Sequence, residues 1–176
     1  GCLYAGAKME GNVDELCPFC RAPAPETGDE IVEREKKRVE VGDAQAMYGL
    51  GCDYAEGMYS VPQDRNKALE LWHRAGELGC AKAYYNIAES YLQGLGVEMD
   101  EEKAIHYWEL AAIGGSVDAR YNLGVSEINK NYGRALKHFM IAAGGGVNES
   151  LKIIKQLYLD GRATRDDYAT ALQAYQ

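Results

Sequence analysis

Cys17 and Cys20 are the residues of this 176-residue chain whose type and spacing first suggest chemistry. Two thiols separated by Pro18 and Phe19 can bind zinc together with a second pair of ligands, or can form a redox pair. They can also be an accidental pair. A redox pair of this kind needs a helix N-terminus on a βαβ scaffold, and nothing strand-like precedes these cysteines. Of the three interpretations, the residues favour zinc.

The charge of the chain restricts its partners. Its 27 acidic and 19 basic residues give a formal charge of −8, so no basic face could collect the counterion-release energy of non-specific nucleic-acid binding. No run of 18 apolar residues and no charged-then-apolar leader is visible, and five cysteines do not form a disulfide framework. We therefore expect an intracellular protein, cytoplasmic or nuclear, with neither nucleic-acid nor membrane partners.

The secondary structure of most of the chain follows from an internal repeat. Each copy starts at a glycine, at Gly42, Gly79, Gly115 and Gly146. One series then recurs as AMYGLGCDY, AYYNIAESY and ARYNLGVSE, and a second recurs as KALELWHRAGELG, KAIHYWELAAIGG and RALKHFMIAAGGG. The fourth copy continues as SLKIIKQLY and fades. A period in this range is typical of stacked helix pairs.

The spacing within each copy predicts two helices. Apolar residues at steps of three and four lie on one helical face in each series. One aromatic residue of the second series, Trp72 or Trp108, fills the gap beside small residues. A single pair cannot cover its own apolar face, so the pairs must stack and both tryptophans should be buried.

These series resemble Sel1-like repeats, which are relatives of the tetratricopeptide repeat. The resemblance implies an all-α, right-handed α-solenoid of about three and a half helix pairs that serves as a scaffold or adaptor for other proteins or peptides. Glu35 stands where Trp72 stands in the first repeat, which indicates a capping helix with one solvated side before that repeat. The predicted segments are a partial zinc module at 1–25, a linker and capping helix at 26–41, and repeats at 42–78, 79–114, 115–145 (shortened) and 146–176 (degenerate).

Partner-binding residues are expected on the first helix of each repeat. In solenoids of this kind the first helices line a groove that takes a peptide. The side chains left facing away from the repeat core, and therefore the candidate contacts, are Asp53, Tyr84, Asn86, Glu89, Arg120 and Asn122.

No catalytic site is predicted. His73, His106 and His138 fall at different positions of the second helices and form no column, so we interpret them as surface or half-buried histidines. The carboxylates of Asp100 and its two neighbours precede a helix, where acids cap free N–H groups and complement the dipole.

The first cysteines carry a second resemblance. Cys17-Pro-Phe-Cys20 is similar to the closing ligand pair of a RING-type zinc finger, and Cys2 stands at a distance that suits the end of the preceding pair. The resemblance implies that Cys2, Cys17 and Cys20 are ligands of two zinc ions whose other ligands precede Gly1. A complete module would recruit a ubiquitin-conjugating enzyme, so the alternative function is an E3 ubiquitin ligase whose repeats select the substrate.

The zinc interpretation predicts the metal content of the chain. Because zinc needs four ligands and three are expected here, residues 1–176 should retain less than one zinc per molecule after dialysis. Metal analysis checks this, with a longer chain that restores the upstream sequence as the comparison. One tightly held zinc in the 176-residue chain would contradict the predicted ligand assignment.

Overall fold

The computed structural model describes residues 27–175, and these residues fold into helices joined by short turns. In chain order the helices are α1 (Gly28–Glu40), α2 (Ala44–Glu56), α3 (Arg65–Glu77), α4 (Ala81–Gln93), α5 (Glu101–Ile113), α6 (Val117–Glu127), α7 (Tyr132–Gly144), α8 (Asn148–Leu159) and α9 (Arg165–Tyr175). The first compact unit ends at Leu78 and holds α1 to α3, and the second begins at Gly79 and holds α4 to α9. The predicted all-α class is confirmed. None of the helices described is long and apolar enough to cross a bilayer.

Local sequence sets where the helices begin and end. The interpretation of Asp100 as a cap is confirmed, because its carboxylate accepts a hydrogen bond from the backbone N–H of Lys103 at 3.0 Å. Asp43, Asp64 and Asn131 cap α2, α3 and α7 in the same way. The glycines that start the repeats all have positive φ, between 83° at Gly42 and 93° at Gly115. This conformation favours glycine, and it explains why glycine recurs at that position.

In the first unit, α2 and α3 form a pair around Trp72. The indole is 6% exposed, which confirms its predicted burial. A Cβ at Gly51 would lie 2.6 Å from Trp72 Nε1, so the glycine makes room for the ring. The same nitrogen donates a hydrogen bond to the backbone carbonyl of Tyr48 at 3.2 Å. The ring therefore joins the two helices by both packing and a hydrogen bond.

Helix α1 precedes this pair, and its contact with α2 differs from the expectation. Glu35 was expected on a solvated side, but its carboxyl lies over Gly49, where an added Cβ would stand 2.7 Å from Glu35 Oε1. Oε2 of Glu35 is buried without a hydrogen-bond partner. Asp53, predicted to face away from the core, is only 7% exposed and interacts with Glu35. The outward orientation predicted for Asp53 is therefore wrong. Its repeat equivalents, Ser90 and Ser126, are also covered to a large extent.

The second unit has two core clusters. The first joins α4, α5 and α6 through Ala88, Trp108, Ala111, Ala112, Ala119 and Leu123. The second joins α7, α8 and α9 through Ala135, Phe139, Ala143, Ile154, Leu157, Ala163 and Ala171. The degenerate fourth copy thus forms a helix pair, with aliphatic residues filling its core. Trp108 is 5% exposed, so its predicted burial is also confirmed.

The Glu35–Asp53 pair gives the first unit a pH-dependent stability. Burial raises the pKa of Glu35 to about 7 from its ordinary value of 4.5, and the Asp53 carboxyl adds to the rise. Because the folded pKa lies above the unfolded one, this stabilisation is full below about pH 4.5 and is lost as the pH rises through 7. We expect the Tm of the wild-type chain to fall relative to Glu35→Gln between about pH 5 and pH 8.

The comparison between variants isolates this pair. Burial lowers the pKa of His73 and of His138, which gives the opposite slope, but both proteins share those groups. Glu33→Gln removes the same charge from an exposed position of α1 and should keep the wild-type slope. Parallel Tm profiles for Glu35→Gln and the wild type would show that the pair is ionised in the folded chain.

Candidate functional site

An open groove lies on the second unit where α4, α5 and α6 meet. Its volume is about 360 Å³, and its lining consists of Tyr85, Glu89 and Leu92 of α4, Glu101 and Trp108 of α5, and Asn122, Val125 and Ser126 of α6. We call this surface the α4–α6 groove. First helices of two successive repeats, α4 and α6, contribute most of it.

Glu89 is the centre of the polar network in this groove. Its Oε1 accepts hydrogen bonds from Trp108 Nε1 at 3.3 Å and from Asn122 Nδ2 at 3.0 Å. Its Oε2 accepts one from Gln93 Nε2 at 3.2 Å. All three donors are neutral, so they hold the carboxylate in place without forming an ion pair with it.

Tyr85 extends the network along the groove. The Asn122 side chain donates to the Tyr85 hydroxyl at 3.4 Å, a longer contact than the one to Glu89. Burial raises the pKa of Tyr85, and the nearby charge of Glu89 raises it further. The phenol therefore stays protonated at neutral pH and can donate a hydrogen bond of its own.

Apolar and acidic groups complete the walls. Leu92 is 36% exposed and Val125 is 46% exposed, so each presents aliphatic surface to solvent. Glu101 is exposed in the first turn of α5. The groove thus offers an anchored carboxylate, a second acidic group and two aliphatic contacts. A segment of polypeptide can contact all of these groups at once.

The structure brings together two of the six predicted partner-binding residues, Glu89 and Asn122. Tyr84 is half-buried and stacks on Tyr107, with ring centroids 6.1 Å apart. The backbone carbonyl of Asn86 accepts a hydrogen bond from Ser90 Oγ at 2.9 Å. Arg120 and Asp53, the other two predicted residues, do not line the groove either.

Arg120 and Asp53 both have structural contacts. The Arg120 guanidinium donates to the backbone carbonyl of Ala112 near the end of α5, at 3.3 Å. This contact satisfies a helix C-terminal carbonyl. Asp53 belongs to the first unit and is paired with Glu35 there.

Sequence reasoning missed most of the groove lining. Trp108 was assigned only to the core, although its ring N–H points to Glu89. The steps of three and four in its series predict Tyr85 on the core face, although its hydroxyl belongs to the groove network. The recurring Tyr-Asn pair, which places Asn122 against the Tyr85 of the preceding repeat, was the signal that could have located the network.

The predicted zinc ligands Cys2, Cys17 and Cys20 lie outside the described residues, so their role stays a prediction. Within residues 27–175, no group of three or more histidine, cysteine, aspartate or glutamate side chains could hold a metal ion. Cys52 and Cys80 form no disulfide within these residues.

Comparison with known proteins identifies the family. The Sel1 repeat model matches residues 44–80, 81–116 and 117–147, which together make up more than half of the chain. The chain therefore belongs to the Sel1 repeat family. No curated protein gives a significant match.

Several solved structures resemble this one, and two of them have TM-scores above 0.7. A Sel1 repeat protein from Oxalobacter formigenes is 25% identical with a TM-score of 0.73, over 84% of this chain and 63% of that one. The protein c5321, a protective antigen of uropathogenic Escherichia coli strains, is 31% identical with a TM-score of 0.71, over 82% of this chain. This chain spans only 32% of c5321.

The hydrogen bond between Trp108 and Glu89 makes a measurable prediction. Trp108→Phe keeps a buried aromatic ring but removes the donor to a charged carboxylate, so the free energy of unfolding in urea should fall by about 2 kcal/mol. In a Glu89→Ala background the same change should cost clearly less, because the acceptor is already absent. An equal cost in both backgrounds would mean that ring packing, and not the hydrogen bond, explains the loss.

Proposed function

We propose that this chain is a non-catalytic scaffold that binds a partner protein through the α4–α6 groove. The observation that supports the proposal is the Glu89 network, in which three neutral donors hold a carboxylate beside exposed aliphatic side chains. A polar group fixed in advance loses little entropy when a ligand binds, which is how a rigid groove gains affinity. Membership of the Sel1 repeat family is consistent with this role.

The helical surface suits an extended peptide better than a small molecule. The groove is open and shallow, whereas sites for small molecules bury most of their ligand's surface. Its wall residues come from three successive helices, so a peptide could follow it and contact each helix in turn.

The ligase alternative has no support from the described residues. It depends on a zinc module at residues 1–25, and the repeat region would have the same binding role with or without that module. We therefore propose the scaffold role alone.

Site-specific photocrosslinking tests the proposal. A benzoylphenylalanine at Val125 lies in the groove, and one at Ile113 of α5 lies at an exposed aliphatic position outside its lining. In a lysate of the source organism, the Val125 probe should give a discrete protein adduct that the Ile113 probe does not give. Adding Glu89→Lys should abolish the adduct while the helical circular dichroism signal is retained.

Two outcomes of the crosslinking experiment would contradict the proposal. Identical adducts from both positions, or a Val125 adduct that persists in Glu89→Lys, would place the binding surface elsewhere on the chain.

A further inference from the structure

The α4–α6 groove combines negative charge with apolar surface, and this combination specifies a ligand. Of its eight lining residues two are glutamates, Glu89 and Glu101, and none is a lysine, arginine or histidine. The chain as a whole carries a formal charge of −8. A cationic ligand is therefore favoured both at the groove and during its approach to the protein.

The hydrogen bonds of Glu89 leave a place for such a ligand. Each carboxylate oxygen can accept about two hydrogen bonds. Oε1 already accepts from Trp108 and Asn122, Oε2 accepts from the exposed Gln93 side chain, and the Tyr85 hydroxyl also interacts with the carboxylate. A ligand N–H can reach Oε2 by replacing the exposed Gln93 amide, while Trp108 and Asn122 still hold the carboxylate through Oε1.

Aliphatic side chains flank this acceptor. Leu92 follows Glu89 by three residues on α4, and Val125 follows Asn122 by three residues on α6, so each lies about one helical turn from the network. A ligand whose cation reaches Glu89 therefore has an apolar contact about one helical turn away. In an extended peptide, side chains two residues apart lie on the same face at about 6.6 Å from each other, which matches this spacing.

We propose that the α4–α6 groove binds an extended peptide segment in which a lysine or arginine stands two residues from an aliphatic residue. The cationic side chain donates to Glu89 Oε2, Glu101 adds attraction, and the aliphatic side chain packs on Leu92 and Val125. The inference rests on the proposed function, since it specifies the partner of the same groove.

A peptide array tests this specificity without a known partner. The array presents every pair of residues separated by one serine, between glycine-serine flanks, and the probe is the fluorescently labelled full chain. Pairs of arginine or lysine with leucine, isoleucine, valine or methionine should bind about fivefold better than the same pairs with glutamine in place of the cation. The preference should weaken when salt is raised, because the acceptor is partly exposed.

Two variants with the same change in charge make the test specific. Glu89→Gln keeps an oxygen that can accept from Trp108 and Asn122, so the groove persists while the preference for a cation should be lost. Glu109→Gln removes a charge from an exposed position of α5 outside the groove lining and should leave the preference unchanged.

Several outcomes would overturn the inference. An array that favours acidic or purely apolar pairs, or a cation preference that survives in Glu89→Gln, would do so. Self-association that occupies the groove would also do so, and sedimentation at several concentrations detects it. If the Val125 crosslink still depends on Glu89 in any of these cases, the scaffold proposal stands and only the ligand class is wrong. If that crosslink is also absent, both fail.

Discussion

The packing of one aromatic ring over one small residue is the constraint on which the helix pairs depend. Trp72 lies over Gly51, and Phe139 lies over Gly124, where an added Cβ would stand 2.6 Å and 2.7 Å from the nearest ring atom. In the intervening repeat Trp108 shares a buried cluster with Ala88. Interiors are packed too densely to absorb an extra side-chain atom at such a contact, so the two positions must remain matched. This requirement fixes how close the paired helices lie, and hence where the residues at their outer edges stand.

The same aromatic position also determines which repeat can hold a polar group in its groove. The Trp72 ring N–H donates to the Tyr48 backbone carbonyl and is thereby used within the core. The Trp108 ring N–H reaches the Glu89 side chain instead. Phe139 has no such donor. One repeat of the three therefore combines a full-sized core ring with a donor that anchors an outward-facing carboxylate. In this repeat the core ring therefore also supports the groove network.

The sequence predicted the architecture better than the site, for a physical reason. Helix pairs depend on residues that recur, such as the repeat-start glycines and the Trp72 and Trp108 positions, and recurrence is visible in a single sequence. Glu35 and Asp53 are different, because neither has an acidic equivalent in another repeat. Their pairing depends on Gly49 providing room for a carboxyl group on the neighbouring helix. Spacing shows which face a residue occupies, but it does not show that a charged side chain on a second helix will cover it.

The position of Glu89 shows where specificity can vary in such a chain. Its equivalents in the neighbouring repeats are Cys52 and Val125, so the repeat pattern places no demand on this residue. Asn122, by contrast, occupies a position that holds asparagine in two repeats, and it donates to both Glu89 and Tyr85 of the preceding repeat. A recurring donor thus meets a residue that is free to change. When that residue is glutamate, the groove gains an anchored negative charge. Binding preference can therefore differ between repeats while the packing that builds them stays the same.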